Sequence, residues 1–242
     1  DKEQEKNKIT EFKTFPVPFT FRDKKENTTI ATNTPSKPSK EQIIKQAVQF
    51  HLQGNISEAT KYYQYCIKQG FNDHRVFSNY GIILKNLGNL QEAELSTRKA
   101  IELNPNYADA VWNLYGLANN IEEAEERINQ CLKIDGSFLY AKLTLSALKL
   151  HQGDQFLFNN LMESSHKDHP FMRSFKWVST LPNLPELFFN RWAFFDSMIN
   201  QSKKDHPFYE FGVWRGESFK YLINTFKKGY GFDTFEGLPE DW

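Results

Sequence analysis

The feature that most constrains this chain is a period of 34 residues that begins near Glu41. Gly54 recurs as Gly88, Ala59 as Ala93, Ala47 as Gly81 and Cys66 as Ala100. Small residues held in phase at this spacing describe two antiparallel helices per unit. Units of that kind stack so that each buries its apolar face only against its neighbours. Gly54 and Gly88 fall where the chain turns between paired helices, a place that favours left-handed backbone. Ala59 and Ala93 fall where helices approach closely and a larger side chain would clash. Pro105 ends one unit and opens the next.

A third unit is shorter. Leu114 answers Tyr80, Ala124 answers Ala93 and Cys131 answers Ala100, so the loss is expected at the turn around 119–121. A fourth first-helix is expected at 139–151, closed by Gly153 and Asp154. Its residues Leu143, Leu145, Leu148 and Leu150 suit a helix covered on more than one side. A capping helix over 155–163 then closes an array that runs from 41 to 165.

Composition narrows the partners. The formal net charge is zero, so neither nucleic acid nor an anionic membrane is expected to bind. No apolar run approaches the ~18 residues that span a bilayer, and the opening residues are charged, unlike a secretory signal. Cys66 and Cys131 each occupy the small-residue slot of a second helix, which Ala100 holds in the middle unit. They read as buried thiols acting as small hydrophobes rather than as a disulfide or a reactive site, which makes a reducing, cytoplasmic compartment the default expectation.

Residues 1–40 read as a disordered leader, because Thr34-Pro35-Ser36-Lys37-Pro38-Ser39 suits neither a helix nor a central strand. Its cluster of Phe12, Phe15, Phe19 and Phe21 leaves two readings, a segment that docks on the body or an unstructured tail. His166 and His169 form a His-x-x-His pair, but further ligands do not stand out. The stretch 166–183 therefore reads as a linker, with no metal site expected.

The repeats resemble the tetratricopeptide repeat family. The middle unit carries the resemblance, with Tyr80-Gly81, Leu87-Gly88-Asn89, Glu92-Ala93 and Ala100-Ile101-Glu102-Leu103-Asn104-Pro105. It departs at Thr97, where the family places an aromatic, and at Phe71 and Gly136, where Pro is expected. The resemblance implies a helical solenoid that binds a protein or peptide through its first helices. Groove-facing candidates are Asn79, Ile82, Lys85 and Asn86. The paired Lys and Asn clamp that some relatives use for an acidic peptide terminus exists here only in fragments.

A second pattern begins at about 184. A helix is expected from Pro185, with Phe188, Trp192, Phe195 and Ile199 on one face. A strand follows at Phe208-Tyr209-Glu210-Phe211-Gly212-Val213-Trp214, then a helix with Phe219, Leu222, Ile223 and Phe226 on one face. A second strand, Gly229-Tyr230-Gly231-Phe232, ends in Asp233. Helix, strand, glycine turn, helix, strand and acid is the start of a doubly wound α/β sheet. Gly212 and Gly216 permit the tight turn, and the helix beyond Gly216 offers free amides to an anion. Asp233 is placed to accept from ribose hydroxyls. Trp214 stands where a dinucleotide fingerprint wants glycine, which favours a cofactor without a pyrophosphate; a dinucleotide or nucleotide-sugar enzyme remains the alternative.

Residues 210–218 with 231–239 resemble the macrocin O-methyltransferase-like branch of S-adenosylmethionine-dependent class I methyltransferases. The resemblance implies that Glu210, Gly212, Gly216 and Ser218 meet the methionine part of S-adenosylmethionine. Asp233 would meet the ribose, with Thr234 and Phe235 beside the adenosine. It also implies methyl transfer to a small-molecule or glycan hydroxyl, and a divalent metal whose ligands are not in this chain. Only two strands of a larger sheet are present, so 184–242 is expected to be an incomplete, Rossmann-like segment. Weak cofactor binding and no methyl transfer by the 242-residue chain follow as expectations. The alternative is an interaction module, a mostly α solenoid with a truncated α/β appendage.

Overall fold

A computed structural model describes residues 38–213 and 215–233, all within one compact unit that starts at Pro38. The repeats comprise three helix pairs and one lone helix: α1 (Lys40–Leu52) with α2 (Ile56–Lys68), α3 (His74–Asn86) with α4 (Leu90–Leu103), α5 (Ala108–Tyr115) with α6 (Ile121–Ile134), and α7 (Leu139–His151). Then come α8 (Phe156–Met162), α9 (Pro170–Val178) and α10 (Arg191–Gln201). The described part closes with β1 (Phe208–Phe211), α11 (Glu217–Ile223) and β2 (Gly229–Phe232).

Several helix starts follow local capping chemistry. Ser39 and Gln42 form a reciprocal capping box at α1. The asparagine side chains of Asn55 and Asn120 accept from the third backbone amide of α2 and α6. The leader expected to extend to residue 40 therefore gives way to helix at Lys40, because Ser39 caps it. Phe12, Phe15, Phe19 and Phe21 lie outside the described residues.

The core is a chain of small clusters passed from unit to unit. Ile44, Ala47, Ala59, Tyr63, Cys66, Val76 and Ile83 form the first, and Leu84, Ala93, Leu114 and Leu117 the next. Ala59, Ala93 and Ala124 are fully buried, as are Cys66, Ala100 and Cys131, so the phased small residues sit where helices meet most closely. Both thiols are free. Gly81 explains the missing aromatic at Thr97. A Cβ at Gly81 would lie 2.5 Å from Thr97 Oγ1, so α3 and α4 approach too closely there for a ring. The buried Thr97 hydroxyl donates to the Ala93 carbonyl at 2.8 Å.

The third unit loses its residues earlier than expected. Helix α5 ends at Tyr115, and the shortfall falls on the end of that helix rather than in the turn at 119–121. Lys85 from α3 lies over the gap, with its Nζ only 2.7 Å from where a Cβ of Gly116 would be. The fourth first-helix stands where the period puts it. Leu143, Leu145 and Leu148 are buried, and Leu143 meets Phe158 of α8 and Met172 of α9.

Two expectations need correction. The stretch 166–183, expected as linker, contains α9, because His169 caps it, Pro170 fits its first turn and Met172 is buried against the array. The helix expected from Pro185 starts only at Arg191. Leu187 and Phe189 instead pack against the cluster around Val111 and Ile128, and Asn190 then caps α10 by accepting from the Ala193 amide at 2.9 Å. Phe188 is thus off the helix, while Trp192 and Ile199 form its buried face.

Strands β1 and β2 pair in parallel, with Phe208 opposite Gly229 and Phe211 opposite Phe232. Phe208 packs on Phe219 and Phe226, which places α11 over one face. The other face carries stacked Tyr209–Tyr230 and Phe211–Phe232 pairs. All four rings on that face are exposed, Phe211 by 79%, although parallel sheets ordinarily have both faces covered.

Candidate functional site

Several places on the described residues could meet a ligand. The first is a groove between the first helices of the opening two units, a cavity of about 440 Å³. Val48, Gln49 and Leu52 of α1 face Arg75 and Asn79 of α3 across it, with Tyr107 at the next unit. Helical spacing sets this wall, because Lys45, Gln49 and Leu52 recur every three or four residues on one side of α1. Leu52 is 84% exposed. Arg75 donates to Glu41 Oε2 at 2.7 Å and to Asp73 Oδ2 at 2.8 Å, so its charge is met within the protein. Both carboxyls are held below their usual range by the Arg75 guanidinium. Beneath the groove, Tyr63 lies 3.5 Å from His51 Nδ1. Burial lowers the affinity of His51 for its proton and raises that of Tyr63.

The four groove residues chosen from sequence are not brought together. Asn79 lines the groove, and Ile82 is half-buried. Lys85 turns toward the third unit at Gly116, where burial lowers its pKa. Asn86 is exposed at the far end of α3 and borders a different cavity.

That second cavity has a volume of about 860 Å³ and lies where the C-terminal segment docks on the array. Docking is specific. The Trp192 indole N–H donates to the Lys85 carbonyl at 2.7 Å, and the ring lies against Gly88, where a Cβ would be 3.3 Å away. Gly88 has φ +86°, so glycine here serves both the turn and the ring. Arg191 donates to the Asn86 carbonyl and lies over the Trp192 ring at 4.6 Å. Arg215 donates to the Gly54 carbonyl. Phe189 meets Tyr115 edge-on. Sequence reasoning had Trp192 on an apolar helix face without its partner, and it did not single out Arg191 or Arg215. No local signal marks a side chain that reaches more than a hundred residues back.

The third place is the glycine turn. Gly212 and Gly216 have φ of +83° and +73°, as a tight strand-to-helix connection requires. The Ser218 hydroxyl donates to Glu210 Oε1, and Glu210 Oε2 is buried with no hydrogen-bond partner among the described residues. Glu210, Gly212, Gly216 and Ser218 are therefore gathered around one turn, and Asp233 follows β2 at the adjoining strand end. Gly231 is needed there, because a Cβ would lie 2.7 Å from Val213. Trp214, Thr234 and Phe235 lie outside the described residues.

A family model described as tetratricopeptide repeat matches residues 74–107, which are α3, α4 and the link to α5. Residues 74–107 form a tetratricopeptide repeat. The remaining helix pairs continue it as a tetratricopeptide-like array that ends in a small two-stranded parallel sheet. Among solved structures, the chain is similar to a tetratricopeptide repeat protein from Parabacteroides merdae, with 17% identity, 60% of each chain covered and a TM-score of 0.49. It is also similar to YrrB, described as a tetratricopeptide protein with an unusual peptide-binding site. That match has 14% identity and a TM-score of 0.48, and covers 58% of this chain and 75% of that one. MamA is matched at 16% identity and a TM-score of 0.44, covering 57% of this chain and 77% of that one. No curated protein matches the chain. These findings support the repeat and lend no support to a methyltransferase domain.

Proposed function

We propose that this chain is a protein-interaction module that takes an extended peptide of a partner in the groove between α1 and α3. The observation that carries this is the groove itself. Its walls are first helices of adjacent repeats, and it combines exposed Lys45, Gln49 and Leu52 with Asn79. Amide side chains there can bond a peptide backbone, and Val48 and Leu52 offer apolar contact. The test is a photo-crosslinking amino acid placed at Gln49, with Glu102 on the exposed side of α4 as control. Crosslinks to a partner that form from Gln49 and are lost on Asn79→Arg support the groove. Equal crosslinking from both positions would refute it. Free, buried Cys66 and Cys131 suit the reducing cytoplasm as its site of action.

One observation favours a second reading for the glycine turn. Glu210 Oε2, buried and without a partner among the described residues, is suited to accept a hydrogen bond from a cationic amine. In that reading Glu210, Gly212, Gly216 and Ser218 hold the methionine end of S-adenosylmethionine, and Asp233 the ribose. The cofactor would supply an activated methyl group; the residues of this chain would bind and orient it, not act on an acceptor. Calorimetric titration with S-adenosylhomocysteine is expected to give heat that Glu210→Ala removes. Heat from NAD instead, or heat unaltered in Glu210→Ala, would end this reading.

A further inference from the structure

The first helices of three successive repeats all end against the same C-terminal segment. Helix α1 runs into Gly54, whose carbonyl accepts from Arg215. Helix α3 ends at Asn86, whose carbonyl accepts from Arg191, and the Lys85 carbonyl one residue earlier accepts from the Trp192 indole at 2.7 Å. Helix α5 ends at Tyr115, which Phe189 meets edge-on. The C-terminal end of a helix is the negative end of its dipole, so a guanidinium placed there is favoured. Both arginines are carried by one body. Arg191 opens α10, Arg215 stands directly before the Gly216 cap of α11, and Tyr221 of α11 donates to Asp196 and packs on the Trp192 ring of α10. At their opposite ends α1 and α3 are tied directly, because Arg75 donates to Glu41 at 3.1 and 2.7 Å. The walls of the α1–α3 groove are therefore tied at one end by an ion pair between repeats and at the other by the docked segment. Stacked repeats touch only their neighbours, and small rotations between them set the curvature. A body that touches α1, α3 and α5 together adds a constraint that stacking alone does not.

We propose that the docked segment is a brace that holds α1 and α3 at a fixed spread and so sets the width of the groove between them. The inference rests on the peptide reading for what the groove is for, but not for the spread itself. A groove held at one width loses less entropy when a peptide enters it. By linkage, a peptide that fits the braced width strengthens docking by the same factor by which docking strengthens its binding, and one that needs another width weakens docking.

Spin labels read the spread. Nitroxides go on Leu52→Cys at the end of α1 and Leu95→Cys on α4, both exposed, in a Cys66→Ala and Cys131→Ala background, since Ala100 already fills the same slot in the middle repeat. Leu95 follows α3, because Ser96 beside it donates to the Phe77 carbonyl at 2.8 Å. The full chain, without peptide, is expected to give one narrow distance distribution by pulsed electron paramagnetic resonance. Arg191→Gln with Arg215→Gln removes both guanidinium ties. It is expected to broaden the distribution and move its mean by about 1–2 Å or more, the scale of helix shifts in switching proteins. Trp192→Ala is expected to do the same by undocking α10, which hydrogen exchange reports. An unchanged distribution in the arginine variant, or in Trp192→Ala once α10 is released, would overturn the proposal. Loss of exchange protection in α3 and α4 in either variant would do so too, because the contacts would then hold the repeats together rather than set their spread. If Trp192→Ala leaves α10 docked, the arginine variant alone decides. Crosslinking from Gln49 tests the groove separately, so the brace can fail while the peptide reading stands, and the reverse.

Discussion

Replacing Trp192 with alanine is expected to release the C-terminal segment while leaving the repeats folded. The Trp192 side chain is only 3% exposed, and burial of a Trp removes roughly 150–250 Å² from water. At about 25 cal/mol per Å² that is roughly 4–6 kcal/mol as an upper bound. Measured truncations of buried aromatic residues fall at about 3–5 kcal/mol. The lost indole hydrogen bond is included in that range, since the Lys85 carbonyl it leaves behind lies at a helix end that water can reach. Three kcal/mol corresponds to about a hundredfold in an opening equilibrium. Amide hydrogen exchange read by mass spectrometry checks it. Protection across α10 and the start of α11 should fall by about a hundredfold, whereas α3 and α4, held by Val76, Ile83, Leu84 and Ala93, should keep theirs. If α10 keeps its protection, Trp192 is not the anchor; if α3 and α4 melt with it, the segment and the repeats are one cooperative unit.

Other outcomes follow from the same contacts. Gly81→Ala should destabilise the chain by about 1–3 kcal/mol, because its new Cβ meets Thr97 Oγ1 at 2.5 Å. Adding Thr97→Ala should recover part of that loss in chemical denaturation, and independent, additive effects would contradict the close approach. Lowering the pH below about 6.5 should reduce the melting temperature. Burial places the folded pKa of His51 beneath its ordinary 6.5, so the unfolded chain takes the proton first. Its share of stability is present above 6.5 and is lost as pH falls toward the folded pKa. His51→Gln should make the acid decline shallower, and an unchanged slope would exclude His51 as its source. Lys85 behaves alike at alkaline pH. Its lowered pKa means that stability rises as pH climbs toward 10.5, and Lys85→Met should flatten that rise in a pH series of melting curves.

Much of the array was legible because its physics is local and periodic. Ala59, Ala93 and Ala124 at matched positions report close helix contact without any knowledge of the neighbours. Gly54, Gly88 and Gly153, all at positive φ, mark the turns for the same reason. Even one long-range bond echoes the period, since Arg75 reaches Glu41 exactly one repeat earlier along the chain. Strand β2 and the positive-φ glycines after β1 were equally readable, because only a few residue types make such a turn.

What the sequence by itself determined was therefore the repeating helix pair, its small contact residues and the glycine turn after β1. What only the tertiary structure decided was where the helices stop and what the first helices face. Residues 185–190 have a pattern compatible with helix, yet packing of Leu187 and Phe189 on the array outweighs that weak local preference. Lys85 and Asn86 belong to the same helix as Asn79, yet the shortened α5 draws one inward and the docked Arg191 engages the carbonyl of the other. Trp192, Arg191 and Arg215 acquire their partners across more than a hundred residues. Contacts at such separation carry no periodic signature; they arise from how complementary surfaces meet once the helices have formed.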